Sequence, residues 1–324
     1  IIHNYKNLTV NNFPFRIASS EKLASESRSI FIGEFLANNY YDLTKDKGEI
    51  WKLNKFNNAL LINCKNSFFV SNSKDKLATN ISEIYVGTGE ILDRPPEDVL
   101  YSATGYSGCQ SQYASFVCKI GLVFVDREQG KIFLFNGGNI KEISNKGNRN
   151  YFRDKLNTLL DIDNPFTSIG LTGVFDEKYN RLIIAKKEYR LKSTVVVTGE
   201  LVIDATVYTT GLIYSYLGKY YIIRAGVGDT LDILNLFVTD GINPTEDGYG
   251  ELIDIADLTY YDNHSFTLSY SVDFDFWVCY HDYYPSYMFQ TRLNSYAINN
   301  HITYGKLYKM NSLTNIFFPK SSNA

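Results

Sequence analysis

Residues 121–144 read GLVFVDREQGKIFLFNGGNIKEIS. Two short apolar runs, LVFV and IFLF, flank a polar turn, and a second Gly-rich turn leads into a half-apolar tail. Short runs of branched and aromatic residues between turn residues read as strands, here as a hairpin. A sheet built from such strands has apolar side chains on both faces. It is stable only if both faces are covered.

The hairpin recurs. FVDREQGKIFLF (124–135) sets over VFDEKYNRLIIA (174–185) with Asp126 above Asp176. YSVDFDFWVCYH (270–281) follows the same pattern, with Ser271 in the Asp column and Phe276 where Lys131 and Arg181 stand. NALLINCKNSFFVSN (58–72) is a looser copy with a shorter turn, and SYAINNHITYGKLYKM (295–310) is a fifth hairpin. Asp126 and Asp176 are 50 residues apart, and Asp176 and Ser271 are 95 apart, near twice that. Periods of this size built from antiparallel hairpins belong to β-propellers, in which stacked blades cover one another. The expected fold is therefore all-β: a β-propeller of four-stranded blades with a small β-rich insertion and one or two short helices. The double gap means either a diverged blade or an insertion, and the Thr- and Val-rich composition after residue 190 favours the insertion. The expected boundaries are 1–189 for the first blades, 190–262 for the insertion and 263–324 for the remaining blades. Helical spacing is found at 24–36 and at 149–160, where Tyr151, Phe152, Leu156, Leu159 and Leu160 share a face after the Gly147 turn and before Pro165.

Composition agrees. The 324 residues are 44% hydrophobic, enough for a large core, and 15% aromatic, with 26 Tyr and 21 Phe, which suits strands. A net charge of −3 argues against a domain whose main task is gripping nucleic acid. Cys64, Cys109, Cys118 and Cys279 form no C-x-x-C pair, so buried free thiols in a reducing compartment are expected. No apolar run reaches the length of a membrane span, and no signal peptide is expected. The chain opens on Ile1, which suggests a segment of a longer protein.

Candidate chemistry is thin. His3, His264, His281 and His301 show no metal-ligand spacing, and His281-Asp282 lacks a nucleophile elbow to complete a triad. Gly87-Thr88-Gly89-Glu90 lacks the rest of a phosphate loop and runs into Pro95-Pro96, so it reads as a rigid connection. The acidic loop 240–248 departs from the EF-hand template at Ile242 and Thr245 and reads as a solvated turn. Asp126 and Asp176 have the residue type of glycosidase carboxylates, but both open hairpins and are expected to bond their own turns. No catalytic residue, metal site or cofactor is predicted.

Seven stretches carry a resemblance in order: FPFRIASS (13–20), ANNYYDLTKDKGEIWKL (37–53), IYVGTGEILDRPPEDV (84–99), GYSGCQSQYASFV (105–117), GLVFVDREQGKIFLF, KEISNKGNRNYFRDKL (141–156) and FTLSYSVDFDFWVCYHDYYPSYMF (266–289). Together they resemble the tail muzzle proteins of crAss-like bacteriophages, short-tailed phages of Bacteroidota, similar in role to podovirus tail nozzles. The resemblance covers about 1–189 and 262–324. It implies a non-enzymatic virion protein, assembled in the bacterial host cytoplasm, that forms a six-fold ring at the tail tip. It also implies contact with neighbouring tail proteins and non-specific passage of phage double-stranded DNA. On that reading Tyr280, Tyr283, Tyr284, Tyr287, Met288 and Phe289 wedge between blades or meet a neighbouring subunit. The rivals are a propeller lectin or glycan-active tail component at the host surface and, less favoured, an intracellular scaffold propeller.

Overall fold

The structure is a computed structural model, which describes residues 12–20, 35, 37–72, 75–78, 83–86, 92, 94–100, 107–157, 170–200, 209, 211–216, 219–223, 250–291, 294–300 and 305–310. Those residues are mostly strand, with a single α-helix. The expected helix at 24–36 lies almost wholly outside the described residues, as do the Gly87–Glu90 stretch and the 240–248 loop. Among the described residues no helix is long and apolar enough to cross a membrane, which says nothing of strands.

The chain divides into two compact units. In the first, four antiparallel meanders follow one another. Sheet A joins Ile50–Phe56, Ala59–Cys64, Phe68–Asn72 and Glu97–Asp98; sheet B joins Ser115–Cys118, Gly121–Asp126, Lys131–Phe135 and Ile140–Glu142. Sheet C joins Gly170–Asp176, Arg181–Lys187, Phe266–Ser271 and Phe276–His281, and sheet D is three-stranded: Tyr287–Gln290, Ser295–Asn300 and Gly305–Lys309. The first strand of sheet A touches that of B, B's touches C's, and C's touches D's.

Alternation along single strands explains the stacking. From Gly121–Asp126, Leu122 and Phe124 enter one cluster with Leu61, Phe68 and Val70 of sheet A. Val123 and Val125 enter another with Leu171, Phe175, Leu182 and Ile184 of sheet C. Sheet C repeats the arrangement, sending Ile183 and Ala185 toward Met288 and Ala297 of sheet D. A period of two therefore loads both faces, and the apolar runs are continuous because no face meets water. Phe68 stacks on Phe124 at 4.9 Å and meets Phe135 edge-on at 5.2 Å. Each ring so buried is worth about 1.5–3 kcal/mol.

The helix Arg149–Leu156 seals the B–C core with Phe152 and Leu156, both fully buried. Gly147, at φ +90°, reverses the chain before it. The buried Lys186 donates through Nζ to the Lys155 carbonyl at 2.7 Å, placing a cation at the helix C-terminus.

The matched hairpins have matching turns. Gly130, Asn180 and Asp275 occupy the same column and all take positive φ, +64°, +46° and +58°. The column before them caps the turn: Asp126 accepts from the Gln129 N–H, Asp176 from the Lys178 N–H and Ser271 from the Phe274 N–H. Their strand positions correct the spacing argument. The 126–131 turn joins strands two and three of sheet B, whereas 176–181 and 271–276 join strands one–two and three–four of sheet C. The 50-residue interval is thus not a blade period but the recurrence of one turn chemistry. The 95-residue interval falls inside one sheet, since Arg181–Lys187 pairs directly with Phe266–Ser271.

The second unit spans Lys187–Ser265 among the described residues. A ribbon of Tyr189–Leu191 with Tyr261–Asn263 leads to a sheet of Val197–Glu200, Ile213–Tyr216, Lys219–Ile223 and Gly250–Leu252, the first pair parallel. Its core is Ile213, Ile222, Ile253 and Tyr261.

Two predictions follow from this packing. A Cβ on Gly108 would meet the Lys65 carbonyl oxygen at 1.9 Å, while one on Gly138 meets nothing within 4 Å. Gly108→Ala should lower unfolding free energy by about 2–4 kcal/mol in urea titrations and Gly138→Ala by less than about 0.5. Because Lys186 and Phe266 are cross-strand partners, an Asn-Gly turn can replace residues 188–264. The shortened chain should keep a single cooperative urea transition with native near-ultraviolet dichroism; loss of both would refute the grafted-module reading.

Candidate functional site

The Phe276–His281 strand forms the outer edge of sheet C. Trp277 turns inward, packs on Phe152 at 4.6 Å and donates its indole N–H to the Ile143 carbonyl at 2.9 Å. The register then slips: Cys279 faces Ser269 and Trp277 faces Tyr270, leaving Val278 as a bulge. Past the bulge Val278, Cys279 and Tyr280 all face outward. Phe274, Phe276, Val278 and Tyr280 are 71%, 47%, 43% and 60% exposed, an apolar stripe along an open strand edge. The bulge also corrects the cysteine expectation. Cys64, Cys109 and Cys118 are buried, and burial pushes the first two thiols up to about 12, but Cys279 is exposed.

A polar clamp stands at the stripe's turn. Asp275 accepts from Lys141 Nζ at 2.5 Å, from the Tyr270 hydroxyl and from Lys146 Nζ at 2.9 Å. These three donors, Lys141 foremost, hold its carboxyl far below the usual carboxylate range. The clamp ties sheet B to the last hairpin of sheet C and fixes the stripe's position.

The six aromatic and Met positions named from the sequence separate into distinct surroundings. Tyr283 and Met288 are buried between sheets C and D, and the Met288 N–H donates to Thr172 Oγ1 at 2.9 Å. Tyr287 and Phe289 are half-buried, with Tyr287 edge-on to Tyr113 at 6.0 Å and Phe289 stacked on Tyr296 at 5.3 Å. Tyr284 is half-buried near Tyr151, whose hydroxyl is pushed up to about 12 by burial and by its neighbours Tyr280 and Tyr284. Tyr280 is the exposed member, its ring 5.6 Å from that of Tyr151. Sequence reading missed Phe274, Phe276 and Val278. The alternation in 270–281 reads as core, and only the non-local strand order makes that strand an edge.

Asp126 and Asp176 do not share a site: Asp176 lines a small cavity with Glu177, Lys178 and Gln290, and Asp126 is not part of its lining. Asp126 is buried and accepts from the Gly108 N–H at 2.8 Å, Gln110 Nε2 at 3.1 Å and the Gln129 N–H at 3.1 Å. Desolvation raises its pKa, and those hydrogen bonds offset part of the rise. Asp176 is ion-paired to Arg181 at 2.9 Å. Among the described residues no group of three His, Cys, Asp or Glu stands close enough to hold a metal. What the geometry offers is a strand edge, unpaired among the described residues, that carries exposed aromatic side chains of the kind enriched in protein interfaces.

The model of one protein family, described as Crassvirus muzzle protein, matches residues 2–301 of this sequence. No curated protein matches it.

Substitutions should separate the stripe from the seam. Met288→Ala and Tyr283→Ala should each cost about 2–5 kcal/mol of stability by leaving cavities, measured by urea unfolding. Phe276→Ser and Tyr280→Ser should change it by less than about 0.5 kcal/mol. Equal losses at both sets would make the stripe part of the core.

Proposed function

The chain belongs to the crassvirus muzzle protein family, a family of virion structural proteins, and on that premise we propose that sheets A–D are successive blades of a β-propeller in a tail ring. The observation that carries the propeller is the order of contacts. First strands touch in sequence from A to D, and each of sheets B and C buries one face on the sheet before it and the other on the sheet after. That is how radially stacked blades protect short sheets. The proposed extents are 1–189 and 263–324 for the propeller and 190–262 for the insertion.

Copies of the chain close a ring, six-fold by the family resemblance, around the channel through which DNA leaves, and neighbouring tail proteins abut it. The Phe274–Tyr280 stripe is the proposed subunit contact, with Tyr283 and Met288 serving between blades. The work is mechanical: apolar interfaces close the ring, and a net charge of −3 leaves phosphates free to slide. A glycan-active reading finds no support in Asp126 and Asp176, which are committed to their turns.

Negative-stain imaging and native mass spectrometry of the purified full-length protein test this. Closed rings are expected, with Phe276→Ser plus Tyr280→Ser giving folded single subunits. A wild-type protein that stays monomeric at tens of micromolar, or rings indifferent to both substitutions, would overturn the assignment of that surface.

A further inference from the structure

Sheet D rests on sheet C across a seam to which it contributes Met288 and Ala297, with Met310 just after its last strand. His281 ends sheet C's last strand at the border of that seam. It lies opposite Thr267, whose hydroxyl donates to the Tyr283 carbonyl at 2.5 Å, and its ring stands 5.2 Å from that of Tyr283. Its Nε2 is shielded from water and has no hydrogen-bond partner among the described residues.

We propose that the C–D seam is a proton-operated latch, closed while His281 is neutral and loosened when its imidazole is charged, so that acid releases sheet D from sheet C.

A neutral imidazole tolerates this place, because a lone acceptor or donor costs far less to bury than a cation. An imidazolium needs partners for both ring N–H groups, and Nε2 gains one only if the packing around it, including the neighbouring Tyr283 ring, loosens. The charged groups around it do not reverse that. Arg181, from the neighbouring hairpin, opposes a second positive charge. Asp176 favours it but is already paired with Arg181 at 2.9 Å, and Asp282 favours it from the next position. Tyr283 is neutral, burial having pushed its hydroxyl up to about 12, and the charges acting on His281 are those of Arg181, Asp282 and Asp176, none of them from sheet D. Burial first, then Arg181, holds the histidine below its ordinary value. The unfolded or opened seam therefore takes up more protons than the closed one. Closure is fully favoured above the ordinary histidine range and weakens as pH falls through the folded value. The Met288 N–H bond to Thr172 and the Ser295 Oγ bond to the Phe175 carbonyl at 3.0 Å cross the same seam and do not titrate, so charging His281 loosens the seam against them rather than dissolving it.

Hydrogen exchange read by mass spectrometry on the full chain, corrected for intrinsic rates, tests the latch. Between pH 7.5 and 5.5, protection of peptides covering 286–298 should fall several-fold relative to those covering 121–135. His281→Gln and His281→Phe should abolish the difference, and His281→Lys should expose 286–298 at both pH values while 121–135 stays protected. A wild-type protein in which both regions keep parallel protection, or a pH response that survives in the Gln and Phe variants, would overturn the proposal.

Discussion

Sheets of three or four short strands with apolar side chains on both faces cannot stand alone, and everything else in the first unit answers that constraint. Leu122 and Phe124 face one way and Val123 and Val125 the other, so sheet B has no solvent face to offer. Sheet C is in the same position through Leu182 and Ile184 against Ile183 and Ala185. Stacking is then the solution that covers both faces of sheets B and C. Gly173 shows how close that stacking is, since a Cβ there would fall 2.1 Å from the Phe116 ring of the neighbouring sheet.

Stacking leaves sheet edges unresolved within a single chain, whereas the face of sheet A away from sheet B is covered by Ile17 and Leu43. The Phe276–His281 edge keeps its aromatic groups, and its bulge and the Asp275 clamp hold them in place rather than hiding them. A bulge is a common guard against indiscriminate strand addition, which suits the side-chain contact proposed for this edge. Family membership supports a virion structural role, and the assembly contact proposed for this edge is in keeping with it.

Much of the fold was legible because it is written in local pattern. The turns at Gly130, Asn180 and Asp275 declared themselves through an Asp or Ser opener and a residue tolerant of positive φ. The helix at 149–156 showed in the i, i+4 pair Phe152 and Leu156. What misled was distance along the chain. Equal turns occur at different strand positions, so the interval from Asp126 to Asp176 looked like a blade repeat without being one. The site was harder to read. Tyr283 and Tyr280 stand three residues apart in similar company, yet one is buried and the other exposed. Strand order and one bulge separate them, and neither leaves a local signature.

The claim that face-to-face stacking holds the unit together is tested most directly by a double-mutant cycle on Phe68 of sheet A and Phe124 of sheet B. Stability is measured for Phe68→Leu, Phe124→Leu and the pair together. The account predicts a coupling energy of about 0.5–1.5 kcal/mol between rings on different sheets. Strictly additive losses would mean that the two sheets do not depend on each other, and would contradict it.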